Sequence, residues 1–318
     1  MKTNTDLFEK VPVPKAVATM AVPTMISMLV VVIYNMADTF FIGQTQDPLQ
    51  VAAVSLATPV FMIFMALGNL FGIGGSSAIS RALGEKHKER AWHISSFCCY
   101  GALGLGVIVA IFSVLGMEGI LRLIGASENT IGFARKYLLI ISIGAPTILF
   151  STAFANILRG EGAARESMVG NLLGTIVNIV LDPVFIFVFD MGVEGAAIAT
   201  VISQAVSALW VAAFFGGKRS VLRIRLKNLI PSGRVMGSIV SLGVSPFVMS
   251  ATECLIQLTF NQGMVKYGND MYVSLMSIMF SINQGVWMPM QGFAQGVQPI
   301  IGYNYGAGNY RRVWKSFY

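Results

Sequence analysis

Eight apolar runs, each longer than the ~18 residues a helix needs to cross a bilayer, leave this chain few folds to choose from. They lie near residues 16–43, 51–79, 93–115, 137–158, 168–189, 193–215, 236–264 and 271–302. Soluble chains carry about 25% charged residues, whereas this one carries 12%, with 55% apolar residues and a mean hydropathy of +0.69. The runs therefore predict an all-α polytopic membrane protein with eight transmembrane helices. The polar tail before residue 16 leads into a run too long for the core of a signal peptide, so the N-terminus is expected to be kept.

The formal charge of +7 suits a nucleic-acid binder only if the 22 basic residues cluster on one surface, and they do not. Eighteen fall in the N-terminal tail, in the second, fourth and sixth connections and in the C-terminal tail; four fall in the first, third, fifth and seventh connections. By the positive-inside rule this asymmetry predicts a cytoplasmic N-terminus, a cytoplasmic-membrane location and no nucleic-acid partner. The sixth connection alternates Arg223, Arg225 and Lys227 with Leu222, Ile224, Leu226 and Leu229, and is expected either to lie on the headgroups as an amphipathic linker or to be an ordinary basic loop. Cys98, Cys99 and Cys254 lie inside apolar runs without metal-ligand spacing and read as small apolar fillers.

An internal repeat organises the chain. Gly74, Gly84, Arg90 and Trp92 are matched by Gly296, Gly306, Arg312 and Trp314 at a constant offset of 222, and Pro23 by Pro246 at 223. Both segments follow two spans and share one orientation, so the repeat axis is expected along the membrane normal, with six spans per repeat. The expected organisation is a first six-helix lobe over residues 1–215, a basic linker over 216–234, and over 235–318 the first two helices of a second lobe. Two full repeats make a twelve-helix, two-lobe protein of which this chain is expected to be the first two thirds.

Of the 15 acids, 12 sit in loops, at span ends or in the tail, where water is expected to solvate them. Asp38, Asp182 and Glu253 sit mid-span, where an ionisable group costs ~2.5 to 3.5 kcal/mol and marks a functional site. Tyr34 and Asn35 share a helix face with Asp38, and Asn178 shares one with Asp182. Pro183 removes an N–H and frees a carbonyl near Ile179, adding to an all-oxygen set that suits a hard monovalent cation. Two close carboxylates also hold a shared proton, so Na+ and H+ compete for Asp38, Asn178 and Asp182. Thr200, on a face with Ala196 and Gln204, offers a further hydroxyl. Glu253, Gln257 and Asn261 form one polar stripe on the seventh span, and Gln284, Met288, Gln291, Gln295 and Gln298 form another on the eighth, next to Trp287 and Phe293. Such stripes are often interhelical glue, yet a carboxylate with amides, a methionine and aromatic rings also suits a cavity for amphipathic cations. Asn156 reads as an end-of-helix hydrogen bonder beside Arg159. GNLFGIGG at 68–75 lies within a span and reads as close helix packing, not a phosphate loop. There is no P-loop for ATP, no catalytic triad and no metal-ligand set, so no cofactor is expected.

YNMADTFFIGQ, GGSSAISRALGEKHKERA, NIVLDPVFI, GVEGAAIATVISQ and QGVQPIIGYNYGAGNYRRV stand in this order along the chain. Together they resemble the bacterial branch of the multidrug and toxic compound extrusion (MATE) family. The resemblance implies a twelve-helix antiporter, two six-helix lobes around a central cavity, which expels organic cations in exchange for H+ or Na+ and is monomeric when intact. It implies that Asp38, Asn178, Asp182 and Thr200 are cation-coupling residues, and Glu253 is similar to the seventh-helix acid of several members. Rival readings are a polysaccharide or lipid-precursor flippase of the same broad superfamily, which calls for basic residues deep in the spans, and a membrane-embedded enzyme or assembly factor.

Overall fold

The computed structural model describes residues 6–45, 47–217, 219–224, 233–267 and 270–317. Among them there is helix and no strand. A short α1 (Asp6–Glu9) precedes α2 (Val13–Gly43) and α3 (Pro48–Gly84), followed by α4 (Lys88–Leu115), α5 (Met117–Leu123), α6 (Ile131–Ile143), α7 (Ala145–Gly160) and α8 (Ala164–Pro183). A π-helical turn, Val184–Val188, leads to α9 (Gly192–Gly216), α10 (Gly233–Tyr267), α11 (Asp270–Gly306) and α12 (Tyr310–Phe317). Helix starts carry local signals. Proline stands in the first two positions of α2, α3 and α7, where its missing N–H has no partner to lose, and the Asp47 carboxylate accepts from Leu49 N (3.0 Å) to cap α3.

Six helices among the described residues are long and apolar enough to cross a membrane, or seven if the bent pair α6–α7 is one span. The fourth run, expected as one helix over 137–158, is broken by 56° at Gly144, where Pro146 cannot donate to the preceding turn. The eighth run falls in α11, a 37-residue helix that is not among the six; its glutamine stripe dilutes the apolar character of that element.

Two apolar clusters stack along the bundle. One lies toward the 85–87 and 161–163 connections and includes Ile79, Ile94, Phe154, Leu158 and Ile300. The other lies toward the 44–47 and 190–191 connections and includes Ile42, Leu138, Ile141, Ile186 and Val193. Outward faces carry exposed Ile108, Ile111, Phe112, Ile176 and Val180, as a bilayer-facing surface requires. In chain order α2 packs on α8 and α11, while α3 packs on α4, α7 and α10.

The contact between the first nine helices and α10–α11 is a close seam lined with glycine. A methyl group added at Gly84 would land on the Tyr303 carbonyl oxygen, and one at Gly306 would land on that of Arg81. Likewise Gly74 faces Ile239 and Gly243, and Gly296 faces Met20 and Ala21. Each contact is thus paired with a second whose members lie 222 residues away. Gln298 Nε2 donates to Ser77 Oγ (2.6 Å) across the same seam. GNLFGIGG packs helices, as its place in a span implies: Gly68 lies against Leu149 and Thr152, and Gly72 against Ala153.

Two polar residues that read as solvated are not. Glu161, in the α7–α8 connection, has no exposed surface; its Oε2 accepts from Ser220 Oγ (2.8 Å) and from the Val221 and Leu222 amides (3.2 Å each). Trp92 Nε1 adds a bond to the Val221 carbonyl (2.9 Å), and Leu222 is buried beneath, so this start of the sixth connection is strapped to the protein. Arg225, Leu226, Lys227 and Leu229 of the expected headgroup linker lie outside the described residues. Arg159, counted in the sequence as a loop cation, is 3% exposed in the last turn of α7 and donates to Asn156 Oδ1 and to Gln295 Oε1 (3.0 Å) on α11. Asn156 also donates to Asn69 Oδ1 (3.1 Å). It is a junction between helices and not merely an end-of-helix hydrogen bonder.

Candidate functional site

Four helices contribute to one polar cluster inside the bundle. Asp38 comes from α2, Asn178 and Asp182 from α8, Thr200 from α9, and Tyr137 from α6. Asp182 and Asn178 have no exposed surface and Thr200 is 1% exposed, while Asp38 and Tyr34 are half-buried. The spacing of four along α8 lets Asn178 Nδ2 donate to Asp182 Oδ1 (3.2 Å), and Tyr34 Oη meets Thr200 Oγ1 at 3.2 Å. Asp38 and Asp182 are within electrostatic reach of each other, of Tyr34 and of Tyr137. Asn35, one turn before Asp38 on α2, is exposed.

Three oxygens at this place have no hydrogen-bond partner among the described residues although each is buried: Asp38 Oδ1, Asn178 Oδ1 and Asp182 Oδ2. All three are acceptors. Burying an unpaired carboxylate oxygen is costly; a proton on one carboxylate serves that oxygen and one acceptor it donates to, whereas a cation with oxygen affinity can serve all three. The donor set is neutral amide, hydroxyl and two carboxylates, and among the described residues no three or more His, Cys, Asp or Glu are grouped so as to hold a metal ion. That chemistry fits a hard monovalent cation better than a transition metal.

The proline after Asp182 shapes the site. Beyond Pro183 the helix widens into the π turn, closed by Phe189 N on the Val184 carbonyl (3.0 Å), with Ile186 turned into the core. A π turn next to a buried carboxylate is a recurrent mark of functional helix positions. Tyr137 is the member that the sequence did not reveal. The available signal was a tyrosine at the start of the fourth run, whose hydroxyl needs a partner once the ring is buried.

The second expected cluster is less gathered. Glu253 is exposed on α10 and makes no hydrogen bond or ion pair among the described residues; Gln284, Met288 and Gln291 are half-buried on α11. The side chains of Gln257 and Asn261 lie outside the described residues. Gln295 and Gln298 are used in the seam, bound to Arg159 and Ser77.

Known proteins bear on this arrangement. Multidrug export protein MepA of Staphylococcus saprophyticus is 37% identical over 298 residues, which is 94% of this chain and 66% of that protein. MepA of Staphylococcus aureus strain NCTC 8325 is 36% identical over 304 residues, 96% of this chain and 67% of its own length. The chain therefore spans about two thirds of the length of these relatives. Among solved structures, an outward-facing multidrug resistance MATE family transporter of the MOP superfamily superposes with a TM-score of 0.92 at 31% identity, covering 100% of this chain and 70% of that one. A MOP superfamily transporter from Pyrococcus furiosus, whose binding pocket is described as of reverse polarity, gives the same score, identity and coverage. The MatE family model matches residues 23–184 and 246–318, two blocks that cover most of the chain, and by that match the chain belongs to the MatE family.

Proposed function

We propose that this chain forms the cation-coupled part of a secondary active transporter that exports organic cations across the bacterial cytoplasmic membrane in exchange for H+ or Na+. The observation that carries the reading is the group of three unpartnered, buried acceptor oxygens on Asp38, Asn178 and Asp182. A site that binds its ion in one state and releases it in another has its oxygens poised for an occupant. Tyr34 and Thr200, bonded to each other, and Tyr137, within electrostatic reach of both carboxylates, complete the polar lining. Multidrug export is the named role of the MepA relatives, and ion gradients supply such work at ~2.3 kcal/mol per charge for each 100 mV.

In this reading the protein is built of two six-helix repeats about an axis along the membrane normal, with the N-terminus in the cytoplasm and twelve spans at full length. The paired contacts of Gly84 and Gly306, and of Gly74 and Gly296, support it, because an isologous interface makes every contact twice. Glu253 with Gln284, Met288 and Gln291 lines the path of amphipathic cationic substrates, no ATP is consumed, and the intact protein works as a monomer in the bilayer. A flippase for anionic headgroups is the second reading. Arg159 is the observation in its favour, a buried guanidinium with Nη1 unpartnered, but its Nη2 is committed to amide oxygens in the seam.

The test is efflux by the protein expressed at the length of its relatives. Asp38→Asn and Asp182→Asn keep shape and remove the titratable charge, and are expected to abolish gradient-driven efflux while membrane insertion persists. Normal gradient-dependent efflux by Asp38→Asn would overturn the proposal.

A further inference from the structure

At the end of the bundle that carries residues 44–50 and 190–194 lies a cavity of about 700 Å³. Its rim is polar: Thr45, Gln50, Lys136, Asp190 and Glu194 line it, and its floor includes Ile186 and Val193, each 2% exposed. Two left-handed backbone positions, Asp190 and Gly192 (φ 53° each), turn the chain so that both acids reach this space. The Gly192 backbone lies so close to Gln50 that a methyl group there would strike the Gln50 Oε1, itself buried and without a hydrogen-bond partner among the described residues.

Charge and continuity decide what this cavity takes. Glu194 pairs with Lys136 (2.5 Å) and cancels it, which leaves the Asp190 carboxylate to set the sign at the rim, with Asp47 behind Gln50 through a 3.2 Å hydrogen bond. In a chain of net charge +7 this is a local negative field, and a concave site with low-dielectric walls concentrates cations. The floor leads to the carboxylate cluster along three helices. Ile186 follows Asp182 by four residues, Thr45 stands beyond Asp38 at the end of α2, and Lys136 precedes Tyr137. Ile42, Ile186, Val193 and Tyr137 belong to one buried apolar cluster, which joins the cavity lining at Ile186 and Val193 to Tyr137 beside the carboxylates.

We propose that this cavity is the aqueous mouth of the ion site, a vestibule that attracts small inorganic cations, with Ile186 and Ile42 forming the apolar barrier an ion crosses to reach Asp38 and Asp182. The proposal rests on the cation-coupling reading of those two residues. It assigns Asp190 and Gln50 to ion entry and release and not to substrate binding. The polar rim offers carboxylate, amide and hydroxyl groups for a partly hydrated ion, and little apolar wall for a drug-sized molecule.

The experiment uses the 318-residue chain in liposomes with Cys98, Cys99 and Cys254 replaced by Ala and one new thiol, Ile186→Cys, or Val193→Cys should the first fail to insert. Reaction rates are measured with a trimethylammonium and a sulfonate methanethiosulfonate of similar size, and compared with the same ratio at the exposed reference Leu123→Cys. The cationic reagent is expected to be favoured on the order of 10-fold over the reference, and Asp190→Asn, which leaves Glu194 paired with Lys136, to return the ratio to that of the reference. Attachment of the trimethylammonium group is then expected to slow carbodiimide labelling of Asp38 and Asp182, read by peptide mass, while labelling of exposed Glu89 stays unchanged. Equal rates for the two reagents, no reaction at either floor thiol in the inserted protein, or unchanged labelling of Asp38 and Asp182 after attachment would each overturn the vestibule. None of these readouts depends on transport, so they hold even if Asp38→Asn proves to leave efflux intact.

Discussion

A carboxylate with no exposed surface, such as Asp182, is tolerated only while its neighbours or an occupant supply what water supplied in the unfolded chain. The partial neighbours of this site are expected to tune the ion, not to create it. Tyr34→Phe and Thr200→Ala each remove one end of the 3.2 Å hydroxyl contact and should raise the ion concentration needed for half-maximal efflux severalfold, with the maximal rate less affected; an ion titration of efflux checks this. Glu161 gives a pH-dependent expectation. Burial pushes its carboxyl up to about 7 from 4.5, against the lowering by Ser220 Oγ and the Leu222 and Val221 amides. A raised folded pKa means stability that is full below about 4.5 and lost as pH rises through about 7, a swing of order 3 kcal/mol. Thermal unfolding in detergent should therefore show a lower midpoint at pH 8 than at pH 5, and Glu161→Gln should flatten that slope. Asp38 and Asp182 were legible in the sequence because a charge inside an apolar run has few innocent explanations. Glu161, Arg159 and Tyr137 were not, because each sits at the end of a run, where only neighbours from distant helices decide between solvation and burial.

Most helices were legible as well, since their apolar lengths leave the backbone no other way to pair its hydrogen bonds. Their interruptions were less so. Pro183 frees a carbonyl, and the chain answers it with a whole π turn; Pro146 lies inside an apolar run, next to the 56° bend between α6 and α7. Hydropathy averages over a window, whereas a missing N–H acts at one bond, so a single proline leaves no mark on the average. The seam yields a test at this scale. Replacement of Gly84 by Leu forces α3 away from α11, because the obstacle is the Tyr303 backbone and not a flexible side chain, and overpacking of this kind costs about 1–3 kcal/mol. Gly306→Leu should do equal harm from the other side. A cysteine pair at Ser77 and Gln298, whose side chains now touch at 2.6 Å, reports the separation: its disulfide yield should fall in both variants and stay high in Gly104→Leu, whose surroundings are open.

For the molecule as a whole, the distribution of basic residues carries the orientation. Reporters near Asp47 or Met191 are expected to be accessible from outside the cell, and reporters near Lys86 or Arg223 from the cytoplasm; reversed labelling would refute the assignment. The vestibule is part of the same test, since its rim residues 44–50 and 190–194 share the face expected to be external. The paired seam has a consequence for how such a chain changes over generations. Arg81 sits against Gly306, and Tyr303, its counterpart 222 residues on, sits against Gly84. A bulkier residue at either glycine meets main chain, which no side-chain change on the opposite helix can move. Drift in one half is thus relieved only by a shift of the whole opposing helix, and that shift disturbs the matching contact as well. Along this line a change on one side of the seam is expected to call for a matching change on the other.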